Sequence, residues 1–164
     1  MTFDDLIPVA ERVITLFSTQ NWTLATAESC TGGLISAALT AIAGSSAVLD
    51  RGFVTYSNQA KMDLLGVPPH ILDQFGAVSQ QTAMAMAEGA VCHAGTTFAL
   101  SVTGIAGPGG GSADKPVGLV HFGWAQQTCP TLTRHVVFPG DRQQVRLQTA
   151  RFSLQTLIDF AISR

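Results

Sequence analysis

Apolar positions recur at helical spacing at the start of the chain, where Leu6, Ile7, Ala10, Val13, Ile14 and Phe17 share one stripe and predict a helix from about Phe3 to Thr19. Leu24 to Ala27 then reads as a short buried strand, Thr31-Gly32-Gly33 as a tight turn, and Leu34 to Ala43 as an apolar helix. Phe53 to Tyr56 is a second expected strand. Asn58 follows as a helix N-cap, and the helix runs to Leu65, where Gly66 and Pro68 stop it. Ser79 caps a further helix, rich in Ala and Met, that continues through His93 and ends at Gly95. Thr97 to Val102 predicts a third strand, which opens into Thr103-Gly104-Ile105-Ala106-Gly107-Pro108-Gly109-Gly110-Gly111, a run in which no helix can start. Val117 to Trp124 and Leu132 to Phe138 read as an antiparallel hairpin interrupted at Cys129-Pro130. Asp141 with Gln144 is a capping-box signature and opens a last helix to about Ile162, with Val145, Thr149, Phe152, Leu157 and Phe160 inward. Helices alternate with strands throughout, which predicts an α/β domain with helices on both faces of a mixed sheet.

Composition narrows the picture. The 164 residues fit one domain, residues 1–164, with no repeat, linker or low-complexity tail. With 9 Lys+Arg against 11 Asp+Glu the formal net charge is −2, which leaves no basic excess for nucleic acid. Charged residues are 12% of the chain, about half the usual share, so apolar surface is expected to be covered by another copy: a homo-oligomer, with a dimer favoured. Cys30 to Leu49 carries no charge, but Gly32, Gly33, Gly44, Ser45 and Ser46 cut it to a stretch too short for the ~20 residues of a membrane span. The start Met1-Thr2-Phe3-Asp4-Asp5 is acidic where a secretory signal is basic, and Cys30, Cys92 and Cys129 show no pairing pattern, so a cytoplasmic protein is expected.

Candidate chemistry gathers at strand ends. Ligands of open α/β sheets bind beyond the carboxyl ends of the strands, and two glycine-rich turns lie there. In Glu28-Ser29-Cys30-Thr31-Gly32-Gly33 a strand passes into a helix whose N-terminal amides could approach an anion; Gly104 to Gly111 leads into a strand and would act through a nest of amides. Neither matches a Walker or dinucleotide-binding pattern, and both can equally be tight turns. Ser29 sits where a nucleophile would be presented, though a serine there can also be a cap. Lys61, one of only two lysines, lies just past the second strand, which the sole tyrosine, Tyr56, ends; a buried amine can serve a serine as base, and a solvated lysine is the plain alternative. Cys30 is a rival nucleophile, but His70, His93, His121 and His135 fall into no pattern that would supply its base. The same histidines lack metal-ligand spacing, so no metal is expected. Arg142 and Arg146, at i and i+4, share a helix face that suits a phosphate or carboxylate or simply water.

Six motifs occur in a fixed order: Glu28-Ser29-Cys30-Thr31-Gly32-Gly33, Tyr56-Ser57-Asn58 with Lys61 and Leu64-Leu65-Gly66-Val67, Gly76-Ala77-Val78-Ser79, Thr103 to Gly110, Lys115-Pro116-Val117-Gly118, and Gly140-Asp141-Arg142 with Arg146. Together they resemble the C-terminal domain family of the competence/damage-inducible protein CinA, whose stand-alone members are nicotinamide mononucleotide deamidases. The resemblance implies a three-layer α/β/α sandwich around a mixed, mostly parallel sheet, and hydrolysis of the carboxamide of nicotinamide mononucleotide to nicotinic acid mononucleotide and ammonia, with no cofactor. It implies Ser29 as nucleophile, Lys61 as its base and Tyr56 as an aid to proton transfer. Thr31, Gly32, Gly33, Asn58, Thr103 and Gly104 would line the substrate site, and Arg142 would contact the phosphate. His121 stands where the family more often has an aromatic residue. A pocket that binds a nucleotide without hydrolysing it is the alternative function.

Overall fold

A computed structural model describes all 164 residues. Five strands, β1 (Leu24–Glu28), β2 (Leu49–Val54), β3 (Phe98–Gly104), β4 (Leu119–Gln126) and β5 (Leu132–Val137), form one sheet in the order β2-β1-β3-β4-β5. β1 pairs parallel with β2 and β3, whereas β4 pairs antiparallel with β3 and β5. Only β4 therefore runs against the rest, and the sheet is mixed and mostly parallel. Six helices cover it: α1 (Ile7–Gln20), α2 (Leu34–Thr40), α3 (Asn58–Leu65), α4 (Pro69–Phe75), α5 (Gln80–Ala94) and α6 (Arg142–Ile162).

The two faces of the sheet carry different side chains because successive residues of a strand point opposite ways. Leu24, Phe98, Leu100, Val102, Val120, Phe122 and Trp124 join α1, α2 and α6 in the larger core. Ala25, Ala27, Ala99 and Ala125 face the other way, where the small side chains let the Ala-rich α5 lie close to the sheet, with α3 and α4 packed on it. Backbone contact is close enough there that the Ser101 hydroxyl donates to the carbonyl of Ala83 in α5 at 2.6 Å. Both faces are buried over β1 and β3, so neither strand shows a polar alternation in sequence.

Several boundaries differ from those read in the sequence. α2 stops at Thr40, whose hydroxyl turns back onto the carbonyls of Ser36 and Ala37, and the chain then reaches Gly44 in the left-handed region at φ 83°. β2 begins at Leu49 and ends at Val54, so Tyr56 lies beyond it in the turn to α3; as an edge strand it carries exposed Asp50 and Arg51, which hide it from a hydrophobic pattern. Ser57, not Asn58, caps α3, its hydroxyl accepting from the Ala60 amide at 3.0 Å. α4 is an addition: Pro68 reads as a terminator, but Pro69 after it occupies the first helical turn, where a missing N–H costs nothing. Ser79 and Asp141 cap α5 and α6 as expected.

Gly89 marks the closest approach of α5 and α3. A Cβ placed on it would fall deep inside van der Waals contact with the Leu65 carbonyl oxygen at the end of α3. In an exposed helix Gly→Ala usually stabilises by up to about 1 kcal/mol. Here the sign reverses: Gly89→Ala should destabilise by about 1 to 3 kcal/mol, as overpacking does, and should shift α3. Urea unfolding with an unchanged m-value but a lower midpoint is the expected result, accompanied by loss of whatever activity depends on α3.

Candidate active site

The turn after β1 is fixed from both neighbouring strands. Ser29 donates its amide to the Val102 carbonyl of β3 at 3.1 Å, and the Glu28 carbonyl accepts from the Thr55 amide, just past β2, at 2.8 Å. The chain then doubles back, with Gly32 at φ 60° and Gly33 at φ 95°, conformations that a side chain would strain, and enters α2. Under this turn lies Glu28, fully buried. Its carboxylate accepts the Thr31 hydroxyl at 2.6 Å, the amides of Gly33, Ile35 and Ser36 at 3.1, 3.0 and 2.8 Å, and the Ser36 hydroxyl at 2.8 Å. The α2 amides expected to receive a ligand anion are thus taken by an acid of the chain itself.

Lys61 reaches the turn from α3. Its side chain is 1% exposed, and Nζ lies 3.0 Å from Ser29 Oγ and 2.9 Å from the Thr55 carbonyl oxygen. No carboxylate neutralises it; the sole ion pair of the molecule joins Arg51 and Asp50 on the surface. Burial therefore holds Lys61 below the ordinary lysine range. Cys30, next to Ser29, behaves oppositely: burial, with the Glu28 carboxylate adding to it, pushes its thiol up to about 12. It borders the cavity as well as the core, but at neutral pH it stays protonated, which weakens it as a rival nucleophile.

A cavity of about 190 Å³ opens over this pair. Tyr56, Asn58, Thr103, Gly104 and Arg142 line it together with Ser29 and Lys61. Thr31 does not; it is fully buried beneath the turn, and Gly32 and Gly33 shape the turn without joining the wall. Ala77, Val78 and Ala106 supply apolar walls that no sequence signal distinguished from core. Thr103 is fixed by donating its hydroxyl to the Ala77 carbonyl at 2.7 Å, and Lys115 ties the glycine-rich loop to the Phe75 carbonyl at the end of α4, also at 2.7 Å. Arg142 spans the rim, donating to the Gly107 carbonyl at 2.9 Å and to the Tyr56 hydroxyl oxygen at 3.0 Å. Arg146, one turn on, donates to the Thr31 carbonyl at 2.6 Å, so the two arginines share a face but only Arg142 borders the cavity. His121 lies outside it, opposite Thr103 in the β3/β4 register, its ring 5.4 Å from that of His135; burial, then His135 and Lys115, lower it to about 4. A larger open groove of about 590 Å³ between α1 and α6 holds no comparable pair of nucleophile and base.

Chemically, the cavity offers a hydroxyl and a desolvated amine in hydrogen-bond contact, an adjacent phenol, and no carboxylate in its wall. That is the equipment of a serine nucleophile with an amine base.

Comparison with known proteins agrees in fold and extent. Residues 6–161 match the family model of the CinA C-terminal domain. The nicotinamide-nucleotide amidohydrolase PncC of Enterobacter agglomerans is 58% identical over 139 residues, 85% of each chain. The protein of that name from Escherichia coli K12 is 47% identical over 157 residues, 96% of this chain and 95% of the relative. Among solved structures, the competence/damage inducible protein CihA from Agrobacterium tumefaciens superposes with a TM-score of 0.92 at 53% identity, covering 94% of both chains.

A buried amine without a counter-charge weakens the fold that holds it. Lys61→Met, which fills the same space without the amine, should raise stability by about 1 kcal/mol, roughly 3 °C in Tm, while abolishing turnover. The sign of the pH dependence follows from the lowered folded-state pKa. Between that value and the unfolded one the unfolded chain binds more protons, so the wild type gains stability as pH rises through the window. The advantage of Lys61→Met should accordingly be greatest below the window and shrink toward high pH, as measured by thermal melts across pH.

Proposed function

The chain belongs to the CinA C-terminal domain family, and from that premise we propose that it hydrolyses the carboxamide of nicotinamide mononucleotide, releasing ammonia and nicotinic acid mononucleotide. The 3.0 Å contact between Ser29 Oγ and a fully buried Lys61 Nζ carries this reading. In the proposed sequence neutral Lys61 takes the Ser29 proton as Oγ attacks the carboxamide carbon. A tetrahedral intermediate forms, the C–N bond breaks, and the nitrogen leaves as ammonia with the proton that Lys61 received. Tyr56 aids this transfer: its oxygen accepts from Arg142, which leaves the phenolic proton free to point at the departing nitrogen. Water then attacks the acyl-enzyme, with Lys61 again as base, and frees the acid product and Ser29.

The cavity is small beside the roughly 300 to 1,000 Å³ of typical ligand sites, which supports a division of the substrate. We assign the carboxamide ring to the cavity and the ribose phosphate to its rim. Arg142 has N–H groups beyond the two already bonded and suits the phosphate, with Asn58 and the loop after Gly104 beside it. Thr103 and Gly104 border the ring; Thr31, Gly32 and Gly33 act through the shape of the turn. Exposed Val54, Tyr56 and Leu64 lie near the free edge of β2 and support a homodimer that covers this side. No helix is long and apolar enough to cross a membrane. A nucleotide substrate and three free cysteines support a cytoplasmic setting.

Incubation with nicotinamide mononucleotide should yield ammonia and the acid in equal amounts; binding without product would sink the proposal in favour of a nucleotide sensor. Ser29→Ala and Lys61→Ala should each lower kcat by about 10^4 to 10^6-fold, and the double variant should lose little more. Tyr56→Phe should cost roughly 10 to 10^3-fold, and Cys30→Ser should keep substantial activity. The acid limb of kcat/KM against pH should report Lys61, rising as the amine loses its proton below the ordinary lysine range. Nicotinamide riboside, which lacks the phosphate, should react with a much lower kcat/KM.

A further inference from the structure

An amide-cleaving serine needs donors for the oxygen that becomes negative in the tetrahedral intermediate, and the helix N-terminus beside Ser29 is not free to supply them. Following the amides along the turn shows which are. Ser29 N–H goes to the Val102 carbonyl, Gly32 N–H to the Ser29 carbonyl and Leu34 N–H to the Thr31 carbonyl. Gly33, Ile35 and Ser36 donate to Glu28. Cys30 and Thr31 are left, and neither amide donates to another residue; of the two only Cys30 borders the cavity, Thr31 being 0% exposed. Amides in a buried turn are seldom left unspent, so one that stands at a cavity immediately after a nucleophile is a feature to be explained.

Resting on the assignment of Ser29 as nucleophile, we infer that Glu28 is a positioning residue, whose carboxylate draws the donors behind the turn onto itself and thereby leaves the Cys30 amide, at the cavity, for the substrate oxygen. The amide that follows a nucleophile is well placed for this, since attack by Oγ brings the carbonyl oxygen beside it. Glu28 acts at both ends of the segment. Its backbone carbonyl ties β1 to Thr55, and its side chain holds the Thr31 hydroxyl. Arg146 grips the Thr31 carbonyl at 2.6 Å and so fixes the peptide between Thr31 and Gly32, whose N–H closes the turn onto the Ser29 carbonyl. The five donors on the carboxylate also disperse a negative charge that would otherwise oppose the oxyanion forming close by.

The test uses the full chain with two substrates: nicotinamide mononucleotide, and p-nitrophenyl acetate, an activated ester that needs a nucleophile and an oxyanion site but no nucleotide recognition. Glu28→Gln keeps the shape while placing an NH2 group against amide donors, and Thr31→Val deletes one hydroxyl donor. Removing one oxyanion donor commonly costs about 10^2 to 10^3-fold in kcat, and Glu28→Gln should lose about that much in nucleotide kcat and in ester acylation rate. KM for the nucleotide, and its affinity measured in the Ser29→Ala background, should change by less than about threefold, a split that general disordering of the pocket would not give. Thr31→Val should lose roughly tenfold, and Thr31→Ser, which restores the hydroxyl, should recover most of it. A folded Glu28→Gln protein with both rates near wild type overturns the inference, as does a loss of affinity equal to the loss of kcat. If Glu28→Gln fails to fold, Thr31→Val decides, and unchanged rates there overturn it equally. A wild-type chain that reacts with the ester but leaves the nucleotide intact refutes the substrate assignment alone, because the effect of Glu28 is then read on the ester.

Discussion

Everything about this domain converges on 3.0 Å between a serine hydroxyl and a lysine amine that have no carboxylate beside them. The distance is a consequence of three packings that must hold together. Parallel pairing of β1 with β2 sets the exit of one strand beside the exit of the next, so that Ser29 and Thr55 become neighbours. The Ser57 cap starts α3 at once after that exit and aims Lys61 back under the turn. Gly89 then lets α5 press α3 inward against the sheet. Relax any of these and the amine moves away from the hydroxyl, or water enters and relieves the burial that lowers the lysine.

Two charged groups are buried at this point, and they are treated in opposite ways. Glu28 is surrounded by donors and is a structural anion, held by the strand end and the start of α2. Lys61 receives only a hydroxyl and one backbone carbonyl, both neutral, so its ammonium form is left poorly compensated. A direct pairing of the two would have been the more stable arrangement at neutral pH, and it would have raised the lysine pKa and removed its basicity. Separating them by the width of the turn gives an anion that shapes the backbone and an amine that can accept a proton. Cys30 follows from the same dry environment, since burial that lowers a lysine raises a thiol, and this supports serine over cysteine in the proposed assignment of the nucleophile.

Much of this was legible in the chain. The strand-turn-helix at Glu28 to Gly33, the caps at Ser79 and Asp141, and the alternation of strands and helices come from local chemistry, and local chemistry is written in sequence. Edge strand β2 was half hidden because its exposed Asp50 and Arg51 serve solvent and not the core. The role of Glu28 was missed although a signal was present: an acid at the end of a buried strand, followed by twenty-one uncharged residues, cannot be solvated and must be paired. Arg146 was placed on one face with Arg142, with a phosphate, a carboxylate or water as its expected partner, whereas it binds a carbonyl of the turn. Ala77, Val78 and Ala106 could not be found, because an alanine lining a cavity and an alanine filling a core differ only in what lies across from them.

The floor and rim of the cavity differ in how firmly they are held, and the difference suits the two ends of the substrate. Ser29, Lys61 and Thr103 are all below a tenth exposed and locked by backbone partners, so the reacting groups keep one geometry. Tyr56 is 63% exposed and rests on Arg142, which in turn rests on a carbonyl of the glycine-rich loop. On the roles proposed for Arg142 and Tyr56, a phosphate arriving at that arginine engages the same side chain that supports the tyrosine, and recognition of the nucleotide and placement of the phenol are physically joined. Binding energy from the unreacting end of the substrate is thereby connected, through one guanidinium, to the step in which ammonia leaves.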